Sequence, residues 1–359
     1  MSRRSQQVCL FLAGLLVWVS SCGAEARLRS PWQRYPVHAT NAPYSCPAIV
    51  HLSRDLTTEG FYSDGKGSII DQEKWKAYAA SSGPYKNLGQ VIVDAADAWR
   101  STGSRAAAQC AIDHTVEAAK DGVFSGKMSS HQAYFVQGWV IGAIAIGWLK
   151  VEDSGLETPG QKKLVEPWLV DVVHQTMNYY DILTHAKNNH LYWAGVEAAA
   201  IGIAANDRKV FDWAMNTYQV GVDQIQPNGS MPLEMRRGRR ALHYHLFALA
   251  PLVYLAEFGA VNGLHLYDAD NHALARLERL SVEGLHDNSF FAQHSGEQQD
   301  LPESVPAAEQ ISWGVIWQER FPDPALLKLL QEAPSLSYMY LGGLPPGVHH
   351  LAGLSRSQS

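Results

Sequence analysis

Apolar residues recur at threes and fours through most of this chain, the spacing of helices that bury one face. Short polar breaks separate the runs, at Ser154-Gly155, Pro159-Gly160, Pro227-Asn228-Gly229 and Phe258-Gly259. The pattern predicts helices over 87–102, 105–121, 131–151, 162–183 and 189–205, then over 207–225, 239–258, 271–285, 307–321 and 324–332. Convincing period-two alternation, the mark of a half-buried strand, is absent. No low-complexity linker splits the series, so residues 27–359 read as one domain with a flexible tail over about 343–359. Antiparallel helical pairs make either a bundle or a toroid. The expected fold is all-α, an incomplete α/α toroid, whose inner helices would line a cleft wide enough for a polymer.

Two apolar stretches raise the question of a membrane. Phe135 to Leu149 is uncharged and apolar except for Gln137. It falls short of the roughly 20 residues that cross a bilayer, so a buried core helix is expected and no membrane insertion. The first thirty residues read as lying outside the fold. Arg3 and Arg4 precede an apolar run from Val8 to Val19, and small residues follow from Ser20 to Ala24, which makes residues 1–26 a secretory signal. Ala24-Glu25-Ala26 suits a soluble periplasmic product, whereas Val19-Ser20-Ser21-Cys22 resembles a lipoprotein signal that would acylate Cys22. The soluble form is favoured because nothing downstream requires an anchor.

The formal net charge of −6 argues against non-specific binding of nucleic acid. An acidic protein that binds an acidic polymer must gather its cations in one place, and Arg236, Arg237, Arg239 and Arg240 are that gathering. Of four cysteines, Cys9 and Cys22 fall in the signal. Cys46 and Cys110 are left for one disulfide, with two buried free thiols as the alternative. His243 and His245 are poorly spaced for chelation on a helix, and His349-His350 sits in a Gly/Pro-rich tail, so no metal and no cofactor are expected.

The run Lys187-Asn188-Asn189-His190-Leu191-Tyr192-Trp193 carries the densest chemistry. On a helix Asn189, His190 and Trp193 project from neighbouring positions. Amide, imidazole, phenol and guanidinium suit the breaking of a 1,4-linked uronate polymer by elimination. A base takes the proton at C5 and the bond to O4 leaves, but a hydrogen next to an ionised carboxylate is barely acidic. The site must neutralise that carboxylate, a task for Asn189 and Arg237. It must also move protons, a task for His190 and Tyr244. Tyr244 follows Arg237 by about two helical turns, so a continuous helix would align them, and the arginine would favour the phenol's ionisation.

Asn-Asn-His-x-Tyr-Trp, then Gln226-Pro227-Asn228-Gly229-Ser230, the Arg236–Leu242 stretch and Tyr244-His245 resemble the alginate lyases of polysaccharide lyase family five. Gly60 to Asp71 resembles that family's mobile lid. The resemblance covers Tyr44 to about Phe321 and implies a metal-free α/α toroid that depolymerises poly-β-D-mannuronate in the periplasm. It makes Asn189 and Arg237 carboxylate neutralisers and Tyr244 the donor to O4, with the base role shared between Tyr244 and His190. In mannuronate the C5 hydrogen and O4 lie on one side, so one phenol could serve both steps. Tyr62 and Lys66 become lid residues, and Gln132, Trp139, Trp193 and Arg240 sugar contacts. Leu191 departs from the small polar residue expected after the histidine, which should alter packing only. The expected protein is a monomer, with association with an alginate export complex as a further expectation. Two other readings stay open: a glycoside hydrolase using carboxylates such as Asp64, Glu197 and Glu234, and a non-catalytic alginate-binding protein.

Overall fold

A computed structural model describes residues 26–183, 187–300 and 307–354. The signal up to residue 25, including Cys22, and the tail beyond 354 lie outside the described residues. In chain order the helices are α1 (Gln72–Thr102), α2 (Arg105–Asp121), α3 (His131–Val151), α4 (Pro159–Ile182) and α5 (Asn189–Ala205). Next come α6 (Arg208–Val222), α7 (Pro232–Met235), α8 (Ala241–Val261), α9 (Ala269–His286) and α10 (Ser289–Ser295). The short helices α11 (Ala308–Ile311), α12 (Gly314–Arg320) and α13 (Pro324–Glu332) close the series.

α1, α3, α5 and α8 pack side by side, each against the next. α2, α4, α6 and α9 back them: α2 lies on α1, α3 and α4, α4 lies on α5, and α6 lies on α5, α8 and α9. α3, α5 and α8 are buried on nearly every side, as inner helices of a ring must be. The result is the incomplete α/α toroid. Among the described residues, backbone pairing outside the helices amounts to isolated bridges such as Thr40–Ser104 and Tyr62–Ile70.

Several boundaries differ from the sequence expectation. α1 begins at Gln72 rather than Asn87 and runs through Pro84. The Asp71 carboxylate caps it, accepting the N–H groups of Glu73 and Lys74 at 3.0 Å. Tyr78, Ser82 and Tyr85 are buried along the added turns. The expected 307–321 helix is two pieces, α11 and α12, with the Trp313 indole N–H tied back to the Gln310 carbonyl at 2.7 Å. α3 is long and apolar enough to cross a membrane by length and composition, and so is Gly238–Val261. In each, 89% of the apolar stretch is buried inside the molecule, which makes both core helices.

Both ends of the described chain are packed. Arg27 pairs with Glu152 at 2.7 Å, the Leu28 N–H donates to Asn206 Oδ1 at 2.9 Å, and Leu28 and Ser30 are buried. The fold therefore begins inside the first thirty residues. Nor is 343–354 a loose tail. The fully buried Lys150 ammonium donates to Asp97 and to the carbonyls of Gly342 and Leu344. Cys46 and Cys110 form a disulfide, their Cα atoms 5.6 Å apart, which ties the N-terminal segment to α2. His114 lies beside these sulfurs in the one cluster of potential metal ligands found among the described residues. With both thiols oxidised, that cluster offers no ligand set.

Candidate active site

The inner helices and the 60–71 loop enclose a cleft of about 680 Å³. α1 contributes Trp75, Tyr78 and Lys86; α3 contributes Gln132, Phe135 and Trp139; α5 contributes His190; α8 contributes His243, Tyr244 and Phe247. Arg237 and Arg240 enter from the turns before α8. A second hollow of about 710 Å³, between the N-terminal segment and residues 344–350, contains none of the expected catalytic or sugar-binding residues, though His349 and His350 line it.

Arg237 does not sit on α8. It precedes the 3-10 turn Gly238–Arg240, and α8 starts only at Ala241. The guanidinium nevertheless stacks on the Tyr244 ring, 3.6 Å from its centroid. The turn achieves what the continuous helix was expected to achieve. The phenol's ionisation is not favoured, however. Burial pushes the Tyr244 pKa well up, and the nearby Arg237 and Arg240 only partly offset it. Tyr244 is thus held protonated.

The loop closes over this pair. Arg237 Nη2 donates to the Gly67 carbonyl at 3.1 Å, and Arg240 Nη1 donates to the Tyr62 hydroxyl at 2.6 Å. The Tyr62 and Tyr244 hydroxyls are 2.8 Å apart, and Tyr244 also reaches the Gly67 carbonyl at 3.4 Å. Asp64 holds the loop's own shape, accepting the N–H groups of Ser68 and Ile69 at 2.8 Å. Burial pushes its carboxyl up, but these hydrogen bonds together outweigh burial and hold it at about 2. Lys66 pairs with Glu297 at 2.6 Å across the cleft's rim.

His190 lies flat on Phe135, with ring centroids 3.7 Å apart and planes 5° apart. Burial, then the charge of Arg237, pushes its pKa down to about 3, so the imidazole is neutral at physiological pH. Asn189 and Trp193 stand behind the wall instead of on it. Asn189 is fully buried, giving its backbone N–H and its side-chain amide to the Glu234 carboxylate at 3.0 and 2.8 Å. Trp193 is 3% exposed and donates its indole N–H to the Phe247 carbonyl at 3.0 Å. His245 is also structural: its Nε2 accepts the Met231 N–H at 2.9 Å and its Nδ1 lies 2.7 Å from the Ala241 carbonyl.

Sequence reasoning missed several cleft residues. His243 takes a hydrogen bond from Arg240 at 2.9 Å, and Glu309 also lines the cleft. Lys86 holds its ammonium 4.0 Å over the Tyr78 ring, pairs with no carboxylate among the described residues, and is pushed down to about 8 by burial. Nothing local marks Glu297, which stands 231 residues from Lys66.

An all-helical ring around a long cationic and aromatic cleft, with a neutral imidazole and a protonated phenol inside, is the build of a polysaccharide lyase. The profile of the alginate lyase family matches residues 55–291. The chain belongs to that family. A polysaccharide lyase of Stenotrophomonas maltophilia strain K279a is 35% identical over 282 residues, 78% of this chain and 83% of that one. An alginate lyase of Pseudomonas fluorescens strain SBW25 is 30% identical, covering 81% of each. Among solved structures, alginate lyase A1-III in complex with a tetrasaccharide superimposes with a TM-score of 0.74 at 19% identity over 88% of each chain. The A1-III enzyme of Sphingomonas species A1 gives 0.69 at 18% identity, covering 89% of this chain and 90% of that one.

Proposed function

We propose that this chain cleaves alginate by β-elimination, preferring mannuronate. The observation that carries the reading is the meeting of His190, Arg237 and Tyr244 in one cleft, Arg237 stacked on the Tyr244 ring, with burial keeping His190 neutral and Tyr244 protonated. A base and an acid are needed in those two forms. His190 takes the C5 proton. Arg237 neutralises the uronate carboxylate and the negative charge that grows on it, and Tyr244 delivers its proton to O4 as the bond breaks. The product is a 4-deoxy unsaturated uronate at the new non-reducing end. No metal enters the step.

The hydrolase alternative needs two carboxyl groups facing the scissile bond. Glu197 and Glu234 are fully buried and absent from the cleft wall, and Asp64 is committed to the loop backbone. Export to the periplasm belongs to the same proposal, supported by Arg3, Arg4 and the apolar run behind them. So do action as a monomer and work beside an alginate export complex.

The test is ultraviolet absorbance while the mature protein digests poly-mannuronate, with poly-guluronate in parallel. Absorbance rising faster on poly-mannuronate supports elimination and the preference. Falling viscosity without absorbance makes the protein a hydrolase, and a flat trace at constant viscosity makes it a binding protein.

A further inference from the structure

Three of the four clustered arginines are committed by the fold. Arg237 donates to the Gly67 carbonyl and stacks on Tyr244, Arg240 donates to the Tyr62 hydroxyl, and Arg239 pairs with Asp300 at 2.8 Å. Arg236 is exposed, and its guanidinium makes no hydrogen bond or ion pair among the described residues. It lines an open hollow of about 650 Å³ together with Lys66, Ser230, Pro232, Met235 and His294. Lys66 also lines the cleft, so the two hollows adjoin at the loop, where Lys66 and Glu297 pair.

This shelf has the mixture a sugar site needs, apolar surface with a few polar groups set in it. Pro232 and Met235 offer that surface to the C–H face of a pyranose ring. Ser230 Oγ donates to Asn228 Oδ1 at 2.8 Å and keeps its lone pairs for a sugar hydroxyl. His294 Nδ1 lies 2.7 Å from the Phe290 carbonyl, which only accepts, so Nδ1 carries a hydrogen and Nε2 is left to meet a ligand. The Arg236 guanidinium is a planar fork that matches a carboxylate, and a polyuronate repeats its carboxylate at every unit.

We propose that the shelf is an outer subsite, in which Arg236 binds the carboxylate of a uronate unit lying beyond the bond that is cleaved. The inference rests on the alginate reading of the cleft and extends the polymer's path past Lys66. Charge favours the assignment. With a net charge of −6 the molecule repels a polyanion wherever its cations are paired, and Arg236 has no carboxylate among the described residues to neutralise it. A contact away from the reacting unit is made equally in the ground and transition states, so the subsite acts on KM and leaves kcat alone.

The test measures binding without turnover, by titration calorimetry of mannuronate oligomers of increasing length. Tyr244→Phe is compared with the same variant carrying Arg236→Ala, which breaks no contact and leaves the fold intact. The two should bind the shortest oligomers, which fill the cleft alone, equally well. Once the chain reaches the shelf, the double variant should bind about two- to fivefold more weakly. With Tyr244 in place, Arg236→Ala should raise KM on poly-mannuronate by the same factor at unchanged kcat. Arg236→Lys, which keeps the charge, should recover part of the loss. Lys163→Ala, which removes an exposed charge from α4, should lose nothing at any length. Equal affinity at every length overturns the proposal, and so does an equal loss at every length, the mark of a long-range field. If Tyr244→Phe binds no oligomer at all, the alginate reading falls and the subsite with it, a result distinct from binding that ignores Arg236.

Discussion

Tyr244 and Arg237 are stacked although they stand on different elements, and that contact separates the phenol's chemistry from its packing. In Tyr244→Phe the ring stays under the guanidinium, and only the hydroxyl's contacts with Tyr62 and Gly67 are lost. We expect kcat on poly-mannuronate to drop about 10²- to 10⁴-fold, as removal of a general acid does, with the fold destabilised by only about 1 kcal/mol. Wild-type turnover in the variant would remove Tyr244 from the proton transfer. The motif made it legible that Arg237, His190 and Tyr244 would meet in one cleft, and they do. It overreached at Asn189 and Trp193. Helical spacing says that they share a side of α5, but α5 is buried on nearly every side, so no polar face reveals which side meets the cleft.

The loop over 60–71 closes through the Tyr62 and Lys66 side chains and through the Gly67 carbonyl. Gly67 has φ of +62°, and a Cβ there would run into the guanidinium of Arg237. Gly67→Ala therefore carries about 1–2 kcal/mol of left-handed backbone strain as well as a clash with the guanidinium that the proposed mechanism sets against the substrate carboxylate. We expect kcat/KM to fall roughly 10²-fold, the cost of a small misplacement in a site, with the melting temperature lowered by only about a few degrees. An unchanged kcat/KM would show that the closed loop seen here is not the form that acts on polymer. Gly65 and Gly67 around Lys66 signal such a loop in the sequence. Its docking partners do not, since Glu297 and Arg237 are brought to it by the ring rather than by any local pattern.

At the scale of the molecule, the ring was readable because α3, α5 and α8 are apolar all round, whereas α6 and α13 keep one buried stripe. The early start of α1 was not, because Pro84 reads as a break and only burial of Tyr78 and Tyr85 against the rest of the fold carries the helix past it. The same dense interior decides how stability follows pH. Burial pushes Glu197 up to about 8, opposed only by its Thr176 hydrogen bond, against an ordinary value of 4.5. A carboxyl raised in the folded state contributes its full stability below about pH 4.5 and loses it as pH rises through 8. His190, His243 and His245, pushed down to about 3, 3 and 4, act oppositely, costing stability as pH falls below 6.5. Comparing wild type with Glu197→Gln cancels the histidines and isolates the one carboxyl. From pH 5 to 8.5 the wild type should lose roughly 4 kcal/mol relative to the variant, measured by urea unfolding at several pH values. Parallel stability curves across that range would mean that Glu197 is ionised in the fold, with a compensating charge near it that the buried environment of α3, α4 and α5 does not supply.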